Sequence, residues 1–81
     1  MSDHEERLDL RGLKCPLPVI KARKALASMP KGRILILEAT DPLAEIDIPH
    51  FIASEGHRLL AQSREERVFV FHIEVKGTSA Q

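Results

Sequence analysis

The sequence predicts an α+β fold. It is a two-layer α/β sandwich in the order β-α-β-α-β-β, with a mixed four-stranded sheet and two helices on one face. Three observations carry this. Two Pro-containing helix starts, Cys15-Pro16-Leu17-Pro18 and Asp41-Pro42, each follow a short strand-like run. Helix-period apolar residues follow each start. The last third of the chain alternates Phe69, Phe71, Ile73 and Val75 behind another apolar run and a polar turn, the pattern of an antiparallel hairpin.

Taken in order, Arg7 to Leu10 reads as a strand with Leu8 and Leu10 on one face and Asp9 on the other. Gly12 turns the chain. Proline suits the first helical position, where its missing N–H would go unpaired anyway. Pro18 still falls among the four orphan donors, so it costs little. Beyond it Val19, Ala22, Leu26 and Met29 share one face, and Lys21, Lys24 and Ser28 the other. Pro30 and Gly32 end the helix.

Arg33 to Thr40 contains Ile-Leu-Ile-Leu and predicts an interior strand. Asp41 as cap and Pro42 after it open a short turn. Asp47-Ile48-Pro49 repeats the signal, which places the start of the main second helix at about Asp47. That helix buries Ile48, Phe51 and Ile52, with Ala53 beside them, and stops at Gly56. His57 to Gln62 is the third strand, Ser63 to Glu66 a polar turn and Val68 to Val75 the fourth strand. Lys76 to Gln81 is a frayed tail. The β-α-β unit is expected to be parallel, and the final two strands antiparallel. One sheet face stays partly open, with Val68, Val70 and His72 on it.

The 81 residues fit a single domain, with an ordered core over about residues 7–75. A domain this small has a modest core and little room for an enclosed active site. Hydrophobic residues at 43% and charged residues at 30% exclude a disordered chain. The formal net charge is zero, but its distribution is uneven. Arg11, Lys14, Lys21, Arg23, Lys24, Lys31 and Arg33 form a stretch without an acid, and that stretch surrounds the only cysteine. A lone cysteine forms no internal disulfide, which points to a reducing compartment. The polar N-terminus lacks a signal-peptide pattern, and the longest apolar run, Ile34 to Leu37, is too short to cross a bilayer. A cytoplasmic protein with no membrane partner is expected.

Cys15 is the residue suited to chemistry. At a helix N-terminus, among Arg11, Lys14 and the basic helix, its thiol is expected to be more acidic than usual. Pro16 and Pro18 stiffen the first turn, and Pro18 removes an N–H that would otherwise hold a side chain there. The plainer alternative is a small buried apolar residue. A loop-to-helix junction between charged residues is a poor place for that. With a single cysteine, neither an internal dithiol cycle nor a cysteine-cluster metal site is available, so no metal and no cofactor is expected. His4, His50, His57 and His72 are possible partners for a Cys–His pair, and His50 and His57 flank the second helix.

The segment Leu8-Asp9-Leu10-Arg11-Gly12-Leu13-Lys14-Cys15-Pro16-Leu17-Pro18 resembles the Cys-Pro-x-Pro motif of the TusA/SirA-like sulfur carriers. The likeness continues through Lys31-Gly32, Thr40-Asp41-Pro42, Asp47-Ile48-Pro49-x-Phe51 and Gly56-His57-x-Leu59-Leu60, covering about residues 7 to 75. It implies the same two-layer fold and a persulfide on Cys15. Sulfur would come from a cysteine desulfurase or a rhodanese and pass to an acceptor protein. In different members that acceptor serves tRNA thiolation, molybdenum cofactor assembly or sulfur oxidation. Such a chain is a covalent intermediate for its partners rather than a turnover enzyme. Some members carry another cysteine in the second helix. Ile52 stands in that region here, which leaves a single-thiol relay.

On this reading Gly12, Pro16 and Pro18 shape the site. Arg11, Lys14, Lys21, Arg23 and Lys24 dock an acidic partner, although a basic helix face is also ordinary solvated surface. Asp41, Pro42, Asp47 and Pro49 read as caps and turns. A thiol-based redox adaptor is the main alternative. An RNA-binding module is the weaker one, since zero net charge and three Phe with no Tyr or Trp leave little for nucleic acid to bind. A monomer is expected.

Overall fold

The computed structural model describes residues 5–76. Residues 1–4, His4 among them, and the tail 77–81 lie outside the described residues. The element order is β1 (Glu5–Leu10), α1 (Leu17–Ala27), β2 (Ile34–Ala39), α2 (Ala44–Ser54), β3 (Arg58–Glu65) and β4 (Val68–Glu74). The sheet runs β1-β2-β4-β3. β1 and β2 are parallel, with Leu8 beside Leu37 and Leu10 beside Ala39. β4 is antiparallel to β2 and to β3. The predicted α+β sandwich is the observed fold. Its shortest extent is 17 Å, the thickness of one sheet and one helix layer.

The core follows the strand and helix periods. Leu10, Leu35, Leu37, Ala39, Phe69, Phe71, Ile73 and Val75 point from the sheet toward the helices. Ala22 and Leu26 of α1, with Ala44, Ile48, Phe51 and Ile52 of α2, fill the other side. Val68, Val70 and His72 are half-buried on the opposite face of β4.

α1 begins at Leu17 with Pro16 as its cap residue and Pro18 in its first turn. No side chain caps it. Its first donors go to backbone instead, Leu17 N–H to the Lys14 carbonyl at 2.8 Å and Ile20 N–H to the Pro16 carbonyl at 3.2 Å. Pro18 is buried, so it packs as well as shaping the turn. Gly32 ends the connection to β2 at φ 87°, where its N–H reaches the Val75 carbonyl at 2.8 Å.

β1 begins at Glu5, two residues before the predicted Arg7, and two larger boundary differences follow. α2 starts at Ala44, one turn before Asp47, and Pro49 lies inside it. The Asp41-Pro42 start alone suffices. Asp41 accepts from Leu43 N–H at 3.0 Å, and its carbonyl from Ala44 N–H at 2.9 Å. Ala44, Ile48, Phe51 and Ile52 then form one continuous buried stripe, which outweighs the hydrogen bond that Pro49 cannot donate. Ala53 falls off that stripe and is exposed. β3 runs on through Ser63, Arg64 and Glu65 to a tight turn at Glu66-Arg67, with Glu66 at φ 57°. These residues are polar because β3 is an edge strand, and polarity there resembles a turn. Arg64 also stacks on Phe69, 5.4 Å from the ring centroid.

Candidate functional site

β1 and β2 are parallel neighbours, so the loops leaving their C-terminal ends lie side by side. This brings Gly12 to Cys15 against Thr40 and Asp41. Gly12 turns the first loop at φ 85°, and its N–H donates to Thr40 Oγ1 at 2.8 Å. Cys15 N–H donates to Asp41 Oδ2. The second Asp41 oxygen holds Leu43 N–H, so one carboxylate ties the cysteine loop to the start of α2.

The Cys15 thiol is free and exposed. Its Sγ–H donates to Asp47 Oδ2 at 3.2 Å. Asp47 is in the first turn of α2, where its own N–H closes onto the Leu43 carbonyl at 2.8 Å. Sulfur and carboxylate line an open groove of about 300 Å³ between α1 and α2. Val19 and Arg23 line it from α1, and His50 and Phe51 from α2. The walls are largely apolar and the mouth is open, so the sulfur is reachable by a group on another protein.

The electrostatics reverse the expected acidity. The hydrogen bond to Asp47 raises the thiol pKa above its ordinary value. Partial desolvation and the charges of Asp47 and Asp41 act in the same direction. The basic residues do not offset this. Arg11 folds back on Asp9, with Nε at 2.8 Å from Oδ1 and Nη2 at 3.0 Å from Oδ2. It lines a separate concavity with Glu38, Val68 and Val70 on the open sheet face. Arg23 lies 3.9 Å from Glu55 and stacks on Phe51 at 5.3 Å from the ring centroid. Lys14 sits by Asp41, whose own pKa is lowered, first by the hydrogen bond from Cys15 N–H and least by the charge of Lys14. α1 itself begins two residues past Cys15, and the Leu17 N–H is spent on the Lys14 carbonyl.

The structure thus brings together Gly12, Lys14, Cys15, Pro16 and Arg23 of the residues singled out in the sequence. Pro18 supports them from the core. Lys21 and Lys24 are exposed on α1 but do not line the groove, and they form no ion pair among the described residues. Of the histidines, His50 lines the groove. His57 sits at the far end of α2, where its Nδ1 accepts from Lys76 N–H at 3.1 Å. The sequence reads Asp41 and Asp47 as caps and turns. Leu43 is the cap residue of α2, and Asp41 serves the turn before it by accepting from Leu43 N–H, while it also holds Cys15 N–H and Asp47 holds the thiol. Their sequence signal is two acids just after the second parallel strand, 26 and 32 residues beyond the cysteine. Among the described residues no group of three or more His, Cys, Asp or Glu is placed to hold a metal ion.

Comparison with known proteins agrees with this geometry. The family described as Sulfurtransferase TusA matches residues 6–75. A candidate sulfur carrier protein of Neisseria meningitidis serogroup A is 44% identical over 73 residues, covering 90% of this chain and 99% of its own. The sulfur carrier protein TusA of Allochromatium vinosum is 38% identical over 73 residues, covering 90% of this chain and 96% of its own. The sulfur carrier protein TusA of Pseudomonas entomophila is 38% identical over 74 residues, covering 91% of this chain and 92% of its own. With the motif, the fold and the matched length in agreement, the chain belongs to the TusA sulfurtransferase family.

Proposed function

We propose that this protein is a sulfur carrier that accepts sulfane sulfur as a persulfide on Cys15 and relays it to an acceptor protein. The observation that carries the reading is the exposed Sγ of the only cysteine, lining an open groove within the family-matched segment. An enclosed pocket would suit a small substrate. An open mouth suits a cysteine presented by a partner, which must approach within bonding distance.

The donor is a cysteine desulfurase or a rhodanese, and the acceptor sets the pathway: tRNA thiolation, molybdenum cofactor assembly or sulfur oxidation. The chain works as one domain and as a monomer in the cytoplasm. Among the described residues no helix is long and apolar enough to cross a membrane. Gly12, Pro16 and Pro18 hold the loop that presents Cys15. Lys14, Lys21, Arg23 and Lys24 steer an acidic partner toward it. Arg11, paired with Asp9, contributes least.

Intact-protein mass spectrometry tests this. Incubation with a cysteine desulfurase and cysteine, or with a rhodanese and thiosulfate, is expected to add the mass of one sulfur atom. The addition is removed by reductant and is missing in Cys15→Ser. If neither donor modifies the wild-type chain, the proposal fails.

A further inference from the structure

Resting on the carrier reading above, we infer that Asp47 makes the loaded form of Cys15 the less stable of its two forms, and so biases the carrier toward giving its sulfur up. The argument starts from one hydrogen atom. In the unloaded protein Sγ–H donates to Asp47 Oδ2 at 3.2 Å, a hydrogen bond to a charged acceptor. Loading replaces that hydrogen with sulfur. Sγ then has nothing to donate, and the terminal sulfur, more acidic than a thiol, brings negative charge beside a carboxylate.

Among the described residues no cationic side chain makes a hydrogen bond to the sulfur. From the cysteine loop, Lys14 sits by Asp41. From α1, Arg23 is engaged by Glu55 and Phe51. From the loop after β2, Asp41 adds a second negative charge. His50 is the remaining titratable group of α2 in the groove. The raised thiol pKa has the same origin: the site favours hydrogen on Sγ over negative charge.

The exchange needs no further reagent. Sγ gives its proton to Asp47 and attacks the outer sulfur of a donor persulfide. The Sγ–S bond forms and the donor's S–S bond breaks. The electron pair leaves on the donor's inner sulfur, which takes the proton from Asp47. A thiol and a persulfide anion become a persulfide anion and a thiol. Delivery is the same exchange in reverse, with an acceptor thiolate attacking the terminal sulfur. Asp47 raises the free energy of the loaded side in both steps.

The test equilibrates the wild-type chain, Asp47→Asn and Asp47→Ser with glutathione persulfide and glutathione at one fixed ratio and neutral pH. The loaded-to-unloaded ratio is read by intact mass. Both variants are expected to raise that ratio roughly threefold or more, and to release sulfur to excess glutathione more slowly. Equal ratios in variants and wild type would overturn the inference and leave the carrier reading standing. A wild-type chain that never loads would instead sink the carrier reading.

A second measurement uses the wild-type chain alone and does not depend on the variants folding. The pH midpoint of Cys15 alkylation by iodoacetamide is expected to be higher in the native chain than in the same chain unfolded in guanidinium. A native midpoint at or below the unfolded one overturns the role of Asp47 even if no sulfur is loaded.

Discussion

The Cys15 thiol and the Asp47 carboxylate are 32 residues apart in the chain and 3.2 Å apart in the folded protein. The contact exists because β1 and β2 are parallel neighbours whose following loops share one end of the sheet. Asp41 then joins the two loops, taking Cys15 N–H on one oxygen and Leu43 N–H on the other. The sulfur of this family member is therefore presented by a helix start but governed by two carboxylates.

Asp41→Ala removes both acceptor oxygens at once, leaving Cys15 N–H and the start of α2 without their partner. The expected result is a lower urea midpoint with an unchanged m-value, since the extent of burial is unaltered. The loosened loop should also broaden the Cys15 amide resonance, which a two-dimensional NMR spectrum reports directly.

Acid should weaken the fold through carboxylates whose folded pKa is depressed. The hydrogen bonds from Arg11 hold Asp9 at about 2 against an ordinary 3.8, and Asp41 is also lowered by its two backbone donors. For a depressed carboxylate the stabilisation is complete above the unfolded value and is lost as pH falls through the folded one. Asp9 is exposed and Asp41 only half-buried, so solvent screening keeps the effect small. Circular dichroism in moderate urea should show stability falling as pH drops from near 4 toward 2, the window set by the two values for Asp9. The double variant Asp9→Asn, Asp41→Asn should flatten that dependence.

Gly12→Ala should destabilise by about 1–2 kcal/mol, because φ 85° is costly for a residue with a Cβ. Crowding is not the cause, since an added Cβ would meet nothing within 4 Å. Gly12→Asn should therefore cost less than Gly12→Ala, the reverse of what a steric site would give. Parallel urea titrations of the two variants decide between conformational strain and space.

Ile48→Val removes one methyl group from a site that is 0% exposed in α2, beside Asp47. A loss of about 0.5–1.5 kcal/mol is expected in chemical denaturation. Sulfur loading from a small persulfide should be unchanged, because the backbone carrying Asp47 stays in place.

Lys21→Glu with Lys24→Glu should slow loading from a protein donor with an acidic surface, and added salt should diminish the difference from wild type. Loading from glutathione persulfide should be unaffected, since neither lysine lines the groove. Stopped mass analysis at two ionic strengths separates docking from chemistry. Equal loss with both donors would refute the steering role.

The order of elements was legible because period and punctuation agree along the chain. Phe69, Phe71, Ile73 and Val75 alternate, and all four are buried. Val19, Ala22, Leu26 and Met29 keep helical spacing and face the core, fully or in part. Gly12, Gly32 and Gly56 sit at turns with φ near 85°. The misplaced boundaries have local causes. The Asp47-Ile48-Pro49 segment looks like a helix start, but tertiary burial of Ala44 begins the helix a turn earlier. The edge of β3 is polar because one side of it meets only water.

By itself the sequence determined the fold class, the family and the position of the single cysteine, since these rest on residue type and short-range spacing. The acidity of that sulfur was decided by tertiary structure alone. Neighbours in sequence placed Arg11 and Lys14 around Cys15, and their charges predicted a more acidic thiol. Folding turns Arg11 onto Asp9 and brings Asp41 and Asp47 in from the far side of a parallel strand crossing. Electrostatic effects depend on distance in space, and a contact at 3.2 Å outweighs the nearby basic residues, of which Arg11 is paired with Asp9.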